Sequence, residues 1–276
     1  MTAIVQISDP HFGTERPAVV EALVRFVSDL APELVVLSGD ITQRATRAQF
    51  AAARRFADRL RSPALLAIAG NHDVPLFNLA ARLLSPYANY RRAFGDELEP
   101  EHRSPGWLVL GVKTTRRWRH TNGALSTEQI DRVVARLAAA DPSQMRVVVV
   151  HQPVAVRDDA DAHDLLRGHE AAVRRWAEAG ADVIVGGHIH LPYIVPLHRR
   201  HAGLARRLWC VQAGTSVSSR VRDGVGNSVN VLLQEGIAAP GRPQCVAERW
   251  DFDVRSGRFE RVGSERLDLS AVVVAR

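Results

Sequence analysis

The 276-residue sequence holds one lysine, Lys113, among 36 basic residues, two cysteines, Cys210 and Cys245, and no apolar run of membrane-spanning length. Each scarcity excludes something. Neither cysteine has a second at metal-binding spacing, so a thiolate zinc site and a disulfide framework are set aside, and the usage fits a reducing compartment. Without a run of ~18–20 apolar residues there is no membrane-spanning helix to assign. Met1 to Ile7 carries no basic segment before its apolar stretch, so it reads as a strand rather than a secretion signal. Internal repeats are absent as well. Together these readings predict a cytoplasmic protein.

The positive charge is almost all arginine, giving a formal net charge of +6. Part of that bias is compositional, alongside the many alanines, yet a positive field still suits an anionic substrate by raising its local concentration. A hydrophobic content of 46% with 24% charged residues is enough to bury a sizeable core, which excludes a disordered chain.

Short runs rich in Val, Ile and Leu at 3–8, 34–38, 64–69, 146–150 and 182–186 have the length of strands buried on both faces. Helical patterns lie between them: Ala18 to Leu30, Thr46 to Leu60, a capping box at Ser126-Thr127-Glu128-Gln129 that opens a further helix, and His169 to Ala179. This alternation implies right-handed crossovers and a parallel or mixed sheet covered by helices, with ligands collecting at the carboxyl ends of the strands. From about residue 204, Arg207 to Gln212, Ser228 to Gln234, Gln244 to Asp253 and Arg258 to Leu269 read as strands of a second, mostly antiparallel sheet. Gly236 to Pro243 reads as a mobile loop. The expectation is one domain over 1–276: an α/β part, 1–203, with a helical insert at about 74–95, and a β-rich part, 204–276, that completes the second sheet.

Each of the five apolar runs ends in metal-ligand residues: Ser8-Asp9-Pro10-His11, Gly39-Asp40, Gly70-Asn71-His72-Asp73, Val150-His151 and Gly187-His188-Ile189-His190. One such cluster is ordinary turn chemistry. Five in order, all oxygen or imidazole donors and none Cys, point to a site able to hold two metal ions. Residues i and i+2 of an extended segment face the same way, so Asp9 with His11, and His188 with His190, each bring two donors to one side of a strand end. The glycines before Asp40, Asn71 and His188 make room where backbones crowd around ions.

These clusters together resemble the signature of the calcineurin-like metallophosphoesterase superfamily, Asp-x-His, Gly-Asp, Gly-Asn-His-Asp/Glu, His and Gly-His-x-His. The resemblance implies a four-layer αββα sandwich, two mixed β-sheets flanked by helices. It also implies two divalent or trivalent ions, with Mn, Fe, Zn and Co all admitted by these donors. In that reading Asp9, His11 and His190 hold one ion, Asn71, His151 and His188 hold the other, and Asp40 bridges them. A bridging water activated by both ions attacks phosphorus, and His72 contacts the phosphate or protonates the leaving oxygen. Asp73 is a candidate for orienting this region.

The superfamily's protein phosphatases carry Gly-Asp-x-x-Asp-Arg-Gly, whereas here Gln43 stands in place of the second Asp. The opening Ile-Ser-Asp-Pro-His and the Gly-Asp-Ile-Thr step look more like the bacterial class III cyclic-nucleotide phosphodiesterases, which implies a small phosphodiester as substrate. The apolar segment 76–94 could instead cap the site for a nucleotide-lipid, with the enzyme working as a pyrophosphatase at a membrane surface. A nuclease and a non-catalytic scaffold rank below both, since no DNA-binding domain is evident and no ligand is missing; stable nucleic-acid binding is not expected. The basic runs 113–120 and 199–207, together with Arg220 and Asn227 after Gly214-Thr215, are further candidates for substrate contact. Oligomeric state stays open, a homodimer included.

Overall fold

A computed structural model describes residues 2–222, 224–238 and 242–269. The elements in chain order are β1 (Thr2–Ile7), α1 (Pro17–Leu30), β2 (Leu34–Ser38), α2 (Arg47–Arg59), β3 (Ala64–Ile68), α3 (Leu79–Leu84), α4 (Ala88–Phe94), β4 (Glu101–Arg103) and β5 (Trp107–Gly111). They continue with α5 (Thr127–Ala138), β6 (Met145–Val149), α6 (His169–Glu178), β7 (Val183–Gly186), β8 (Tyr193–Pro196), α7 (Leu197–Arg200), β9 (Trp209–Gln212), β10 (Ser228–Ala238), β11 (Arg242–Asp253) and β12 (Arg258–Leu267). Local chemistry sets several boundaries. Pro17 opens α1, Thr46 caps α2 by accepting from Gln49 N, and Ser126 with Gln129 forms the capping box of α5.

Two six-stranded mixed sheets result, ordered β12-β11-β10-β1-β2-β3 and β4-β5-β6-β7-β9-β8. Alternation along each central strand builds a four-layer αββα sandwich. Leu34, Val36, Leu66 and Ile68 face Trp107, Val109, Val147 and Val183 across the gap between the sheets. Val35 and Leu37 turn the other way, toward Leu23 and Phe50 of α1 and α2. On the second sheet Val148 and Ile184 turn outward under Val133 of α5 and Trp176 of α6. Strands buried on both faces read as unbroken apolar runs, which is why the sequence shows no period of two in them.

The C-terminal strands depart from expectation. They do not form or complete the second sheet: only β9 joins it, and β10, β11 and β12 extend the first sheet from the free edge of β1. The pairing of β1 with β10 is antiparallel, Val5 against Val231, and joins residues more than two hundred positions apart. The expected loop at Gly236 to Pro243 is likewise shorter, because β10 and β11 run into it, and residues 239–241 lie outside the described residues. The 76–94 insert divides into two parts. Tyr90 and Phe94 of α4 pack on Phe50, and the Tyr90 hydroxyl donates to the Ala67 carbonyl at 2.6 Å, whereas Phe77 ahead of α3 and Leu79, Leu83 and Leu84 within it are exposed. No helix among the described residues is long and apolar enough to cross a membrane, and both cysteines are buried and unpaired.

Candidate metal centre

The carboxyl ends of β1, β2, β3, β6 and β7, parallel within each sheet, converge at one edge of the sandwich and carry the five clusters there. The backbone at this edge is strained. Asp9 (φ 50°), His11 (φ 43°), Asp40 (φ 46°), His188 (φ 77°) and His190 (φ 55°) all sit in the left-handed region. That region costs a non-glycine residue about 1–3 kcal/mol, and it persists where surrounding structure over-determines it. Here Asp9 N donates to Gly39 O at 3.1 Å, His11 N to Asp40 O at 3.0 Å, and Thr215 Oγ1 to Asp9 O at 2.6 Å. The preceding glycines give clearance: a Cβ on Gly187 would meet Ser8 Oγ and Asp9 Oδ2, one on Gly70 would meet the Asp40 backbone, and Gly39 adds a positive φ of 101° beneath the His151 ring.

Two donor groups flank Asp40: Asp9, His11 and His190 form one, and Asp40, His151 and His188 the other, while His11, Asp40 and His72 form a third that overlaps both; donor atoms in each lie within 4.8 Å of one another. His11 Nε2 lies 3.8 Å from Asp40 Oδ2, and His151 Nε2 lies 3.2 Å from Asp40 Oδ1 and 3.1 Å from Asn71 Oδ1. Asp40 therefore offers one oxygen to each group. The donor set fits cations on two further counts. His188 Nδ1 is buried without a hydrogen-bond partner among the described residues, and His11 Nε2 faces His190 Nε2 at 3.0 Å.

Ionisation follows from this crowding. Burial opposes the charge on Asp9, yet the hydrogen bond and charge of His190 hold its carboxyl at about 2. Burial likewise opposes Asp40, which His151 nonetheless holds well below the usual carboxylate range. Burial pushes His11 down to about 3. His151 goes the opposite way: burial opposes its charge, but Asp40 raises it to about 9. At neutral pH the metal-free His151 thus carries a proton that a coordinating imidazole must give up. Metal uptake near pH 7.5 is therefore expected to release about one proton or more per chain, and much less at about pH 10, where His151 is already neutral. Calorimetry in buffers of differing ionisation enthalpy measures this; buffer-independent heats near pH 7.5 would contradict it.

Three of the imidazoles are fixed through the nitrogen turned away from the cluster, as metal-binding histidines usually are. His151 Nδ1 donates to Ser38 O at 3.0 Å, His190 Nδ1 to Arg220 O at 2.6 Å, and His188 Nε2 to Asp164 Oδ1 at 3.3 Å. Asp164 escaped the sequence reading. It closes an Asp-rich 3-10 turn, Asp159–Asp164, that reads as a solvated loop, and nothing in its spacing ties it to His188. Asp164→Ala is expected to weaken metal binding at His188 by about 10–100-fold with the fold retained, measured by metal titration.

The remaining candidates distribute unevenly. His72 lies beside the cluster, its ring centroid 4.9 Å from that of His11, with Nδ1 donating to Gln43 O at 3.0 Å. Asp73 accepts from Gly70 N, Ile41 N, Thr42 N and Thr42 Oγ1, and so ties the Asp40 loop to the Asn71 turn. Burial and the Asp40 charge push its carboxyl up to about 7 despite those donors. Asn227 is buried behind the site, accepting from Arg16 and donating to Ser218 O at 2.8 Å, while Arg220 reaches His72. Of the run 113–120, His120 approaches the centre, 6.2 Å from the His72 ring, and Trp118 is exposed. In the run 199–207, Arg206 pairs with buried Asp182 and Arg207 with Asp268, which accounts for them structurally.

Two sheets between helical layers, with carboxylate and imidazole donors gathered at their strand ends, define a metal-dependent hydrolase of phosphoesters. The family model described as calcineurin-like phosphoesterase matches residues 2–192, and the chain belongs to that family. It is 27% identical over 204 residues to a probable cyclic nucleotide phosphodiesterase of Synechococcus sp., covering 70% of this chain and 74% of that one. Among solved structures it resembles a dimetal phosphatase from Danio rerio, at 14% identity and a TM-score of 0.64 over 98% of this chain and 99% of the other. It also resembles the purple acid phosphatase PPD1 of yellow lupin (Lupinus luteus) seeds, at 12% identity and a TM-score of 0.67 over 94% of this chain; the match spans about half, 52%, of the lupin chain. At these identities the two structures speak for the fold alone.

Proposed function

We propose that the chain is a dinuclear metal-dependent phosphodiesterase acting on a small phosphodiester, with cyclic nucleotides the first class to try. The observation that carries this reading is Asp40, whose two carboxylate oxygens face different donor groups. Asp9, His11 and His190 would hold one ion, Asn71, His151 and His188 the other, and Asp40 both. Bound there, the ions supply Lewis acidity to the phosphoryl oxygens and acidity to the attacking water. The protein's own residues do the rest. Ser38 O, Arg220 O and Asp164 fix which nitrogen each ligand histidine presents. His72 donates from Nδ1 to Gln43 O and accepts from Arg220 at Nε2, so at the leaving oxygen Nε2 would act by exchanging the arginine for the substrate. The likeness to the Synechococcus protein supports the diester and cyclic-nucleotide parts of the reading.

A second reading has a specific observation behind it. Phe77, Leu79, Leu83, Leu84 and Trp118 are exposed, and Phe77 lies under the guanidinium of Arg44, next to Gln43. An apolar rim beside the centre suits a phosphodiester or diphosphate carrying a lipid, handled at a membrane surface. A panel of cyclic nucleotides, glycerophosphodiesters, nucleotide-lipids and single-stranded DNA, run with Mn, Fe, Zn and Co, decides between them. The leading reading expects turnover of soluble diesters without liposomes; turnover of the nucleotide-lipid alone, with liposome co-sedimentation, would replace it by the second.

A further inference from the structure

The segment after β9 places one arginine where the reaction needs a donor. Arg220 Nη1 lies 3.0 Å from Gln43 Oε1 and 3.2 Å from His72 Nε2. His72 Nδ1 donates to the Gln43 carbonyl, so in this arrangement Nε2 presents a lone pair and Arg220 is the donor. The other guanidinium nitrogens, Nε and Nη2, make no hydrogen bond to any of the described residues. Arg220 is half-buried, with its guanidinium beside His72 at the metal cluster.

The segment is held in place. Ser216 N donates to Ser8 O at 2.9 Å and Ser219 N to Thr14 O at 2.8 Å, while Ser218 Oγ accepts from Arg220 N at 3.1 Å. Those bonds fasten the arginine to the loop that carries Asp9 and His11. The Arg220 carbonyl at the same time fixes His190. A guanidinium set rigidly beside developing phosphoryl charge is a preorganised electrostatic device.

We propose that Arg220 binds the non-bridging oxygens of the substrate phosphoryl group, and that Gln43 positions it through an acceptor that carries no charge. This deepens the phosphodiester reading above and rests on it. The chemistry gives Gln43 a positive reason. A carboxylate at this position would anchor the guanidinium equally well but would neutralise it, whereas an amide oxygen anchors it and leaves its full charge for the substrate.

The test uses the metal-loaded, full-length protein. Arg220→Met is expected to keep both ions, since the carbonyl that holds His190 is backbone, yet to lower kcat/KM for an aryl phosphodiester by about 100-fold. Binding of inorganic phosphate by calorimetry is expected to weaken at least about tenfold. Arg220→Lys restores part of either loss, because an ammonium cannot form the same fork. Gln43→Glu is isosteric, so a purely structural residue would tolerate it; the expected result is unchanged metal content with weaker phosphate binding and raised KM. Wild-type phosphate affinity and kcat/KM in Arg220→Met overturn the proposal. So does loss of metal in that variant, or a Gln43→Glu protein that behaves as wild type. Phosphate binding separates this inference from the function it rests on: a wild type that hydrolyses only phosphomonoesters refutes the diester reading, while weakened phosphate binding in Arg220→Met still upholds the arginine.

Discussion

Asp40→Asn is expected to lower phosphodiester turnover by at least about 10³-fold, the scale of the several kcal/mol that paired cations contribute to a phosphoryl transition state. The change is nearly isosteric, and the residue is buried, so shape is kept while the charge shared by both donor groups is lost. One amide oxygen can face His151 or His11 but not both, and the NH₂ group then points at a lone pair. The proton on His151 goes with the carboxylate, because Asp40 is what raises that imidazole to about 9. The variant should therefore bind at most one ion tightly and should release less of a proton on binding it. Metal titration and steady-state kinetics on the same preparation check both halves. Two tightly held ions with wild-type turnover would remove Asp40 from the centre of the mechanism.

His72→Ala is expected to reduce kcat by about 10²–10⁴-fold, the usual contribution of a positioned acid or base. Metal content should be unchanged, since His72 Nδ1 is engaged by Gln43 O and Nε2 faces Arg220. The size of the loss depends on the leaving group. A nitrophenolate departs without help, whereas an alkoxide needs a proton, so an alkyl diester should suffer more than an aryl one. Equal losses on the two substrates would mean that His72 contacts phosphate without moving a proton.

What could be read from the chain was what is local. Apolar runs flanked by ligand residues marked β1, β2, β3, β6 and β7, helical apolar spacing marked α2, and a capping box marked α5, because all depend on neighbours within a few residues. Sheet membership was not legible. Nothing within Ser228–Ala238 says that its partner is β1 rather than β9, since that choice depends on which strand edge the fold leaves free. The donor clusters were legible because each bunches several chemical types at one strand end. Their supports were legible only in part: Asp164 lies in an ordinary acidic turn, and Arg220 could be named as a candidate for substrate contact, but not its place beside Gln43 and His72, which folding sets. The left-handed backbone at the ligands was legible only in part. The sequence placed the freedom in the glycines, whereas Asp9, His11, Asp40, His188 and His190 themselves adopt it, held by bonds between loops that are distant in sequence.

The central claim is that two cations share Asp40, and electron paramagnetic resonance of the Mn²⁺-titrated protein tests it most directly. Two ions per chain held about 3.5–4 Å apart are expected to give an exchange-coupled spectrum that grows as the second equivalent binds. A single tight ion per chain, or two whose spectrum is that of isolated Mn²⁺, would contradict the account.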